Sequence, residues 1–251
     1  MANNKELLIL LILILAVMAW SWINPFDRLT WWLEAIPVII ALPLLFYTRQ
    51  SFPLTRLSYY LIFVHSVILV VGAHYTYARV PLGFWMQDWF EFSRNHYDRI
   101  GHLAQGCIPA ILAREILWRK QVLNLTKINT GRRWLFFLTT CFCLAFSAFY
   151  ELIEWWSAVI AGDGSVEFLG TQGDVWDAQW DMLLALIGAV VAQLLLGRVH
   201  HRQMVQVSKL NNERMVGIMV QVSKHNNERM VGIMVQVSKH INERMVGIMV
   251  Q

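Results

Sequence analysis

Charged residues are scarce in this sequence and cysteines are few. Only 15% of the 251 residues are Asp, Glu, Lys or Arg, whereas 57% are hydrophobic, so intrinsic disorder and an ordinary water-soluble enzyme are both poor fits. The three cysteines lie within apolar runs, and their spacing gives neither an extracellular disulfide framework nor a zinc CxxC pair. The composition instead indicates a protein that is embedded in lipid.

The formal net charge of +4 does not indicate nucleic-acid binding. Residues 207–251 contribute six Lys or Arg and three Glu, which leaves 15 basic against 14 acidic residues in 1–206. Because this body is nearly neutral, it lacks the basic surface that a phosphate backbone requires. We therefore expect membrane lipids, and no nucleic acid, as partners of this protein.

Six apolar segments are long enough to cross a hydrocarbon core of about 30 Å. They cover approximately residues 7–23, 31–48, 57–75, 100–118, 134–154 and 180–197. The second contains two prolines, which a membrane helix tolerates because neighbouring groups satisfy the freed carbonyls. The sequence therefore predicts an all-α, polytopic membrane bundle with about six transmembrane helices.

Lys and Arg are unevenly distributed between the two ends of these segments. With an even number of spans and a cytoplasmic N-terminus, eleven lie on the cytoplasmic side; the four on the opposite side are Arg28, Arg79, Arg94 and Arg99. This bias predicts that both termini are cytoplasmic. The first segment could instead be a signal peptide cleaved near Ala19, which would leave the remaining topology unchanged.

The C-terminal end consists of three near-identical copies of a 15-residue unit, which reads VSKLNNERMVGIMVQ in the first copy. A functional solenoid would need such repeats to stack, but this unit is short and has a glycine inside each apolar block. We expect a six-helix transmembrane domain over residues 1–203, followed by a cytoplasmic and poorly ordered repeat tail over residues 204–251.

Acidic residues concentrate near the outer ends of the last three predicted helices. The members of each group lie three or four residues apart, so they share one face of their helix. Ionisable groups at membrane depth are costly unless they are paired or wet, and their clustering therefore indicates a functional site. The candidate catalytic residues of this polar cluster are Asp98, His102, Glu151, Glu154, Asp177 and Asp181.

Two kinds of chemistry would use this cluster. Oxygen-rich ligation with one His suits Mg²⁺, Mn²⁺ or Ca²⁺, and Zn²⁺ is conceivable. The ligands of such a divalent metal ion would be His102, Glu154 and Asp181. Without a metal, the adjacent carboxylates of Glu151 and Glu154 would supply a general acid beside a base.

The same carboxylates also have a purely structural interpretation. Asp98 would stabilise the start of its helix, and Asp174, which follows a turn-forming stretch, would be the N-cap of the last helix. Arg94 or Arg99 would then pair with the glutamates of the fifth helix. The spacing alone does not decide between a functional and a structural cluster.

Tryptophan is also concentrated on the outer side, where ten of the twelve lie. An aromatic belt explains some of them, although a belt alone would populate both faces of the membrane. An outer surface rich in Trp and acid could hold a lipid headgroup or a sugar-bearing envelope precursor.

Several stretches together resemble the YjdF-type bacterial inner-membrane proteins. They are DRIGH at 98–102, the Arg114-Glu115 pair, ELIEW at 151–155 and GTQGDVWDAQWDM at 170–182. The resemblance covers about residues 1–203 and implies a multi-pass protein of the bacterial inner membrane, but it supplies no reaction. The repeat tail departs from the family pattern.

A shorter, gapped pattern is similar to the VanZ-like membrane proteins associated with glycopeptide-antibiotic resistance. Their polar helix ends look like residues 98–102, 151–154 and 177–181 here, with Glu154 where that family more often has Gln. The similarity implies one shared site on the outer face.

Two functional hypotheses follow. The protein is either a metal-dependent hydrolase or transferase acting on a lipid or envelope intermediate, or a non-enzymatic binding, transport or assembly protein whose outer carboxylates are structural. Transport would need polar residues along a path to the cytoplasm, and the inner half offers few besides His65 and Gln193.

Overall fold

The computed structural model describes residues 2–121, 128–161 and 171–249, and within these ranges every regular element is a helix. The elements are α1 (Asn4–Trp22), α2 (Arg28–Thr48), α3 (Arg56–Tyr75), a 3₁₀ turn (Tyr77–Arg79), α4 (Pro81–Phe90), α5 (Tyr97–Arg119), α6 (Ile128–Ala161) and α7 (Asp177–Met249). The predicted all-α fold is therefore confirmed.

Each of the six predicted spans lies largely within one of these helices. Five helical segments are long and apolar enough to cross a membrane: α1, α2, α3, residues 131–160 of α6 and residues 177–224 of α7. Helix α5 is not among them because its buried face is polar. Its 23 residues nevertheless extend about 34 Å at 1.5 Å per residue, which matches the thickness of a hydrocarbon core. The side on which the termini lie stays a prediction.

Polar side chains fix where the first three helices begin. Asn3, Asp27 and Thr55 each accept a hydrogen bond from a backbone N–H in the first turn of α1, α2 and α3 respectively, which satisfies one of the donors that a helix start leaves unpaired. Pro37 and Pro43 lie inside α2 without ending it, as expected for a helix in a membrane.

Helix α3 contacts α1, α2 and α5, and α5 packs on α6. Ser21 joins the first three helices, because its hydroxyl donates to the carbonyl of Val70 and accepts from the indole N–H of Trp31, both at 2.8 Å. Elsewhere large aliphatic side chains are exposed, including Ile40 and Leu44, each at 59%. Such a surface suits contact with lipid tails.

Helices α5 and α7 approach each other backbone to backbone. A Cβ atom added at Gly106 would overlap the carbonyl oxygen of Ala185, and one added at Gly188 would overlap the carbonyl oxygen of Leu103. Small residues permit this closeness between membrane helices. The contact fixes the position of Asp181 on α7 relative to α5.

The fully buried carboxylate of Glu115 joins α3, α5 and α7 near the C-terminal end of α5. Glu115 accepts hydrogen bonds from the backbone N–H and the hydroxyl of Thr55 at 2.8 and 2.9 Å, and from Ser58 at 2.6 Å. Arg119 lies 2.8 Å from it and the Nε2 atom of His200 lies 3.2 Å away. Because its partners saturate both oxygens, this carboxylate serves the packing of the bundle.

By its internal contacts the chain divides into two units, Met1–Val205 and Gln206–Gln251. The second unit contains the three repeats, and its residues are helical as far as Met249. The boundary after residue 203 and the poor order of the tail stay predictions.

Candidate functional site

His102 lies at the centre of the polar cluster, one turn after Asp98 on α5. Its Nε2 atom is 3.5 Å from Oδ1 of Asp98, and its Nδ1 atom is 3.7 Å from Oε1 of Glu151 on α6. The imidazole itself is only 6% exposed. Since 3.7 Å is too long for a hydrogen bond, carboxylates flank both ring nitrogens without closing fully onto the ring.

Four of the predicted carboxylates come together around this imidazole. Asp98 and Asp181 form one group with His102, and Glu151 and Glu154 form a second group with the same His102; within each group the ligand atoms lie within 4.8 Å of one another. The three predicted metal ligands are thus divided between the two groups, which share only the histidine. Whether either group holds a metal stays a prediction.

Asp177, the remaining predicted residue, belongs to a different arrangement. Its Oδ1 atom lies 2.6 Å from Nη1 of Arg94, and Oδ2 of Asp174 lies 2.6 Å from Nη2 of Arg99. Arg94 also lies 3.4 Å from Asp174, and Arg99 lies 3.9 Å from Asp177. Both arginines therefore have aspartate partners, and together the four residues link the start of α5 to the start of α7.

Negative charge exceeds positive charge around His102. If all four carboxylates were ionised, even a protonated imidazole would leave three negative charges, and buried charges without partners are costly. Three buried atoms of the cluster also lack a hydrogen-bond partner within the described part of the chain; they are Nδ1 of His102, Oε1 of Glu151 and Oδ1 of Asp181. Shared protons would reduce the charge, whereas a bound cation would account for both observations.

A cavity of about 220 Å³ adjoins the cluster. Its polar end includes Glu34, which accepts a hydrogen bond of 3.4 Å from the hydroxyl of Tyr150. Beyond Gln105 the lining becomes mostly apolar, with Ala41 of α2 and Leu112 of α5 among its members. The polar cluster is therefore one end of a larger internal space that extends among α2, α3, α5 and α6.

The segment that enters α7 is tied to the segment that enters α5. The side chain of Gln172 accepts a hydrogen bond from the backbone N–H of Asn95 at 3.0 Å and donates one to the carbonyl of Asn95 at 2.8 Å. Gln172 and Gly173 adopt positive φ angles of 49° and 86°, a backbone region that glycine enters without steric cost. Gly170, the first residue of the GTQGD stretch, lies outside the described residues.

Asp174 does not cap α7, contrary to the sequence-based expectation. The helix begins at Asp177, and Oδ1 of Asp174 instead accepts a hydrogen bond of 2.9 Å from the backbone N–H of Trp176. This hydrogen bond, together with the guanidinium of Arg99, lowers the pKa of Asp174. Its carboxylate is therefore ionised at neutral pH and available to hold Arg99.

Glu34 and Tyr150 are the residues at this site that the predicted cluster omits. An ionisable residue inside an apolar segment is itself a signal, so Glu34 was detectable from the sequence as a polar residue of a span. Spacing along one helix, however, does not reveal which residues of α2 and α6 face each other across the bundle.

Comparison with known proteins places the chain among membrane proteins. Residues 6–202 match the family described as "Predicted membrane protein (DUF2238)". Over 202 residues the chain is 49% identical to the inner membrane protein YjdF of Escherichia coli (strain K12), an alignment that covers 80% of this chain and 91% of that protein. No solved structure matches the chain.

Proposed function

The chain belongs to the DUF2238 family of predicted membrane proteins and is an integral protein of the bacterial inner membrane, and we propose that it is a metal-dependent hydrolase or transferase acting on a lipid or another envelope intermediate. The observation that carries this proposal is the gathering of four carboxylates around one buried imidazole. A divalent cation would offset their charge, and a buried site near the ends of membrane helices suits a substrate that is anchored in the lipid.

The surroundings of His102 favour a metal ion over shared protons alone. A histidine that binds a metal through one ring nitrogen usually has its other ring nitrogen oriented by a carboxylate. Here Asp98 lies beside Nε2 and Glu151 beside Nδ1, so an ion on either side of the ring would leave such a carboxylate on the opposite side. Oxygen-rich ligands with one His suit Mg²⁺, Mn²⁺ or Ca²⁺, and Zn²⁺ is the fourth candidate.

A cation in this place would supply the chemistry of a hydrolase or transferase. It would polarise a phosphoryl or carbonyl oxygen and lower the pKa of a bound water molecule. The carboxylates that do not ligate it would remain to accept or return a proton. Glu34 is placed for this role, since it lines the same cavity as His102 and is oriented by Tyr150.

A non-enzymatic role is the second candidate, and the ion pairs of the α5 and α7 starts favour it. Asp174 and Asp177 hold Arg94 and Arg99, an arrangement that serves assembly without any reaction. Transport is less favoured. Gln193, a polar residue of the inner half, donates hydrogen bonds to Thr140 and to backbone carbonyls, so its amide is engaged in helix packing.

The test is the metal content of the full-length protein, purified in detergent without chelator and measured by inductively coupled plasma mass spectrometry. We expect about one equivalent of a divalent metal per chain in the wild type and loss of that metal in His102→Ala and Asp181→Asn. His96→Ala and Asp88→Asn are matched controls, because His96 makes no capping hydrogen bond and Asp88 is exposed. Both controls should retain the metal.

Size-exclusion chromatography of each variant separates loss of metal from loss of fold. A folded His102→Ala protein that releases the metal, followed by metal-dependent turnover of lipid phosphates or esters by the wild type alone, would support the proposal. A wild-type protein without metal, or one whose metal survives both site variants, would contradict it and leave the carboxylates as structural groups.

A further inference from the structure

The cavity beside the polar cluster is ordered from polar to apolar along three helices. On α5 it is lined in turn by Asp98, His102, Gln105, Ile108 and Leu112. From residue 98 to residue 112 the helix rises about 21 Å at 1.5 Å per residue, which is more than half of a hydrocarbon core of about 30 Å. The cavity therefore reaches deep into the bundle and does not end at the cluster.

The neighbouring helices repeat this order. On α2 the lining passes from Glu34 to Ala41, and on α6, which runs in the opposite direction, from Glu154 to Phe146. Polar groups of these three helices thus share one end of the cavity and their apolar groups share the other, while α3 lines the cavity with Ile62 and Leu69 and with two polar residues, His65 and Ser66. A ligand complementary to this lining has a charged head and a hydrocarbon chain.

The volume of the cavity limits the number of chains. A buried apolar cavity of about 150 Å³ holds benzene, which has six carbons, so a space of 220 Å³ holds about nine carbon-sized groups in the same measure. The first part of one hydrocarbon chain therefore fits, whereas the two chains of a diacyl lipid would exceed the space.

Gln105 marks the level between the two ends. It lies one turn beyond His102 on α5, its side chain is buried, and its Oε1 atom lacks a hydrogen-bond partner within the described ranges. A buried carbonyl oxygen left unpaired is destabilising. A polar group of a ligand, or a water molecule carried with it, would relieve this cost where a chain joins its headgroup.

We infer that the substrate of this site is a single-chain lipid phosphate, whose phosphate binds the cation held by the cluster around His102 and whose hydrocarbon chain occupies the cavity among α2, α3, α5 and α6. The assignment of the headgroup rests on the proposed metal site, because the carboxylates alone would repel an anion. The assignment of the chain rests on the shape and lining of the cavity.

The first test compares probes that share a phosphate and differ in their chains. Hexadecyl phosphate, dihexadecyl phosphate and inorganic phosphate are added to the full-length, metal-loaded protein in detergent, and binding is followed by native mass spectrometry. Hexadecyl phosphate should bind at least about tenfold more tightly than either of the others, a difference of about 1.4 kcal/mol. Equal binding of the two-chain probe would overturn the single-chain assignment, and displacement by equimolar inorganic phosphate would overturn the role of the chain.

A pair of adjacent substitutions locates the chain. Ala41 lines the cavity, whereas Ile40 is 59% exposed on the outside of the same helix. Ala41→Phe should reduce binding of hexadecyl phosphate at least about tenfold with the metal content unchanged, and Ile40→Phe should leave both unchanged. Retained binding in a folded Ala41→Phe protein would overturn the inference.

A photoreactive hexadecyl phosphate on the wild type decides the matter if Ala41→Phe fails to fold. The label should attach to the residues of α2 and α5 that line the cavity, and labels confined to residues on the lipid-facing side of these helices would refute the inference. Cavity labelling in a protein without metal would support the chain assignment while the proposed metal chemistry fails. A metal-loaded protein without cavity labelling would refute the chain assignment alone.

Discussion

The backbone contact between α5 and α7 gives the sharpest prediction of stability. A Cβ atom at Gly188 would overlap the carbonyl oxygen of Leu103 and lie 2.9 Å from the backbone nitrogen of Cys107. Because both neighbours are backbone atoms, neither can rotate away, and the two helices must separate. We expect Gly188→Ala to lower the free energy of unfolding by about 3 kcal/mol, at the upper end of the usual cost of overpacking.

Gly197→Ala is the matched control on the same helix. The atoms nearest to a Cβ at Gly197 belong to the side chain of Arg114 at 3.8 Å or more, which is ordinary contact. Alanine is favoured over glycine inside a helix by about 1 kcal/mol, so this variant should be as stable as the wild type or slightly more stable.

The assay for both variants is unfolding in mixed micelles with increasing mole fraction of sodium dodecyl sulfate, followed by circular dichroism. A separation of α5 from α7 also moves Asp181 away from His102, so a bound metal should be lost more readily from Gly188→Ala than from Gly197→Ala. If the two variants unfold at the same detergent fraction, the close approach of the helices at Gly188 is refuted.

Three further predictions concern side-chain contacts other than this backbone approach. Glu115→Ala should lower the free energy of unfolding by about 3–5 kcal/mol, because it leaves buried basic partners uncompensated. Glu6→Ala breaks an ion pair with an exposed arginine and should lower it by less than about 1 kcal/mol. The same unfolding assay compares the two variants, and equal losses would contradict the buried network. Ser21→Ala leaves the buried indole N–H of Trp31 without its acceptor and should cost about 1–3 kcal/mol; an unchanged unfolding midpoint would show that this bond does not join the helices. The pKa of Asp174 is lowered in the folded protein, so its stabilising effect should be complete above the pKa of about 3.9 in the unfolded chain and be lost as the pH falls through the lower pKa of the folded protein. The thermal unfolding temperatures of the wild type and Asp174→Asn should therefore differ at neutral pH and converge in acid. A difference that does not change with pH would refute the role of the charge.

The helices could be predicted from the sequence more completely than their mutual contacts. Long apolar runs locate the spans because lipid offers the backbone no other hydrogen-bond partners. Spacing along α5 places Asp98 and His102 on one face. The same spacing does not show how far α6 and α7 are rotated towards that face. It therefore could not separate Asp177, which is paired with Arg94, from Asp181, which has a carboxylate oxygen within 4.8 Å of a ring nitrogen of His102.

Contacts between distant segments escaped prediction for a related reason. Glu115 meets His200 across 85 positions of sequence. Glu115 is visible as an ionisable residue inside a predicted span, but the spacing within its helix does not indicate which residue is its partner. The short helix α4 was also not predicted, since its ten residues are too few to show a clear apolar period. Asp174 was misassigned because a side chain near a helix start can satisfy a turn as readily as the helix itself.

The polar face of α5 also has a consequence for biosynthesis. A leucine near the middle of a membrane helix favours insertion by only a few tenths of a kcal/mol, and the middle of α5 has few such residues because His102, Gln105 and Pro109 lie there. Helix α5 is the one predicted span that fails the apolarity criterion, so it should enter the bilayer poorly by itself. Its integration should depend on α6 and α7 emerging from the ribosome behind it, and a nascent chain truncated before α6 should leave α5 outside the membrane.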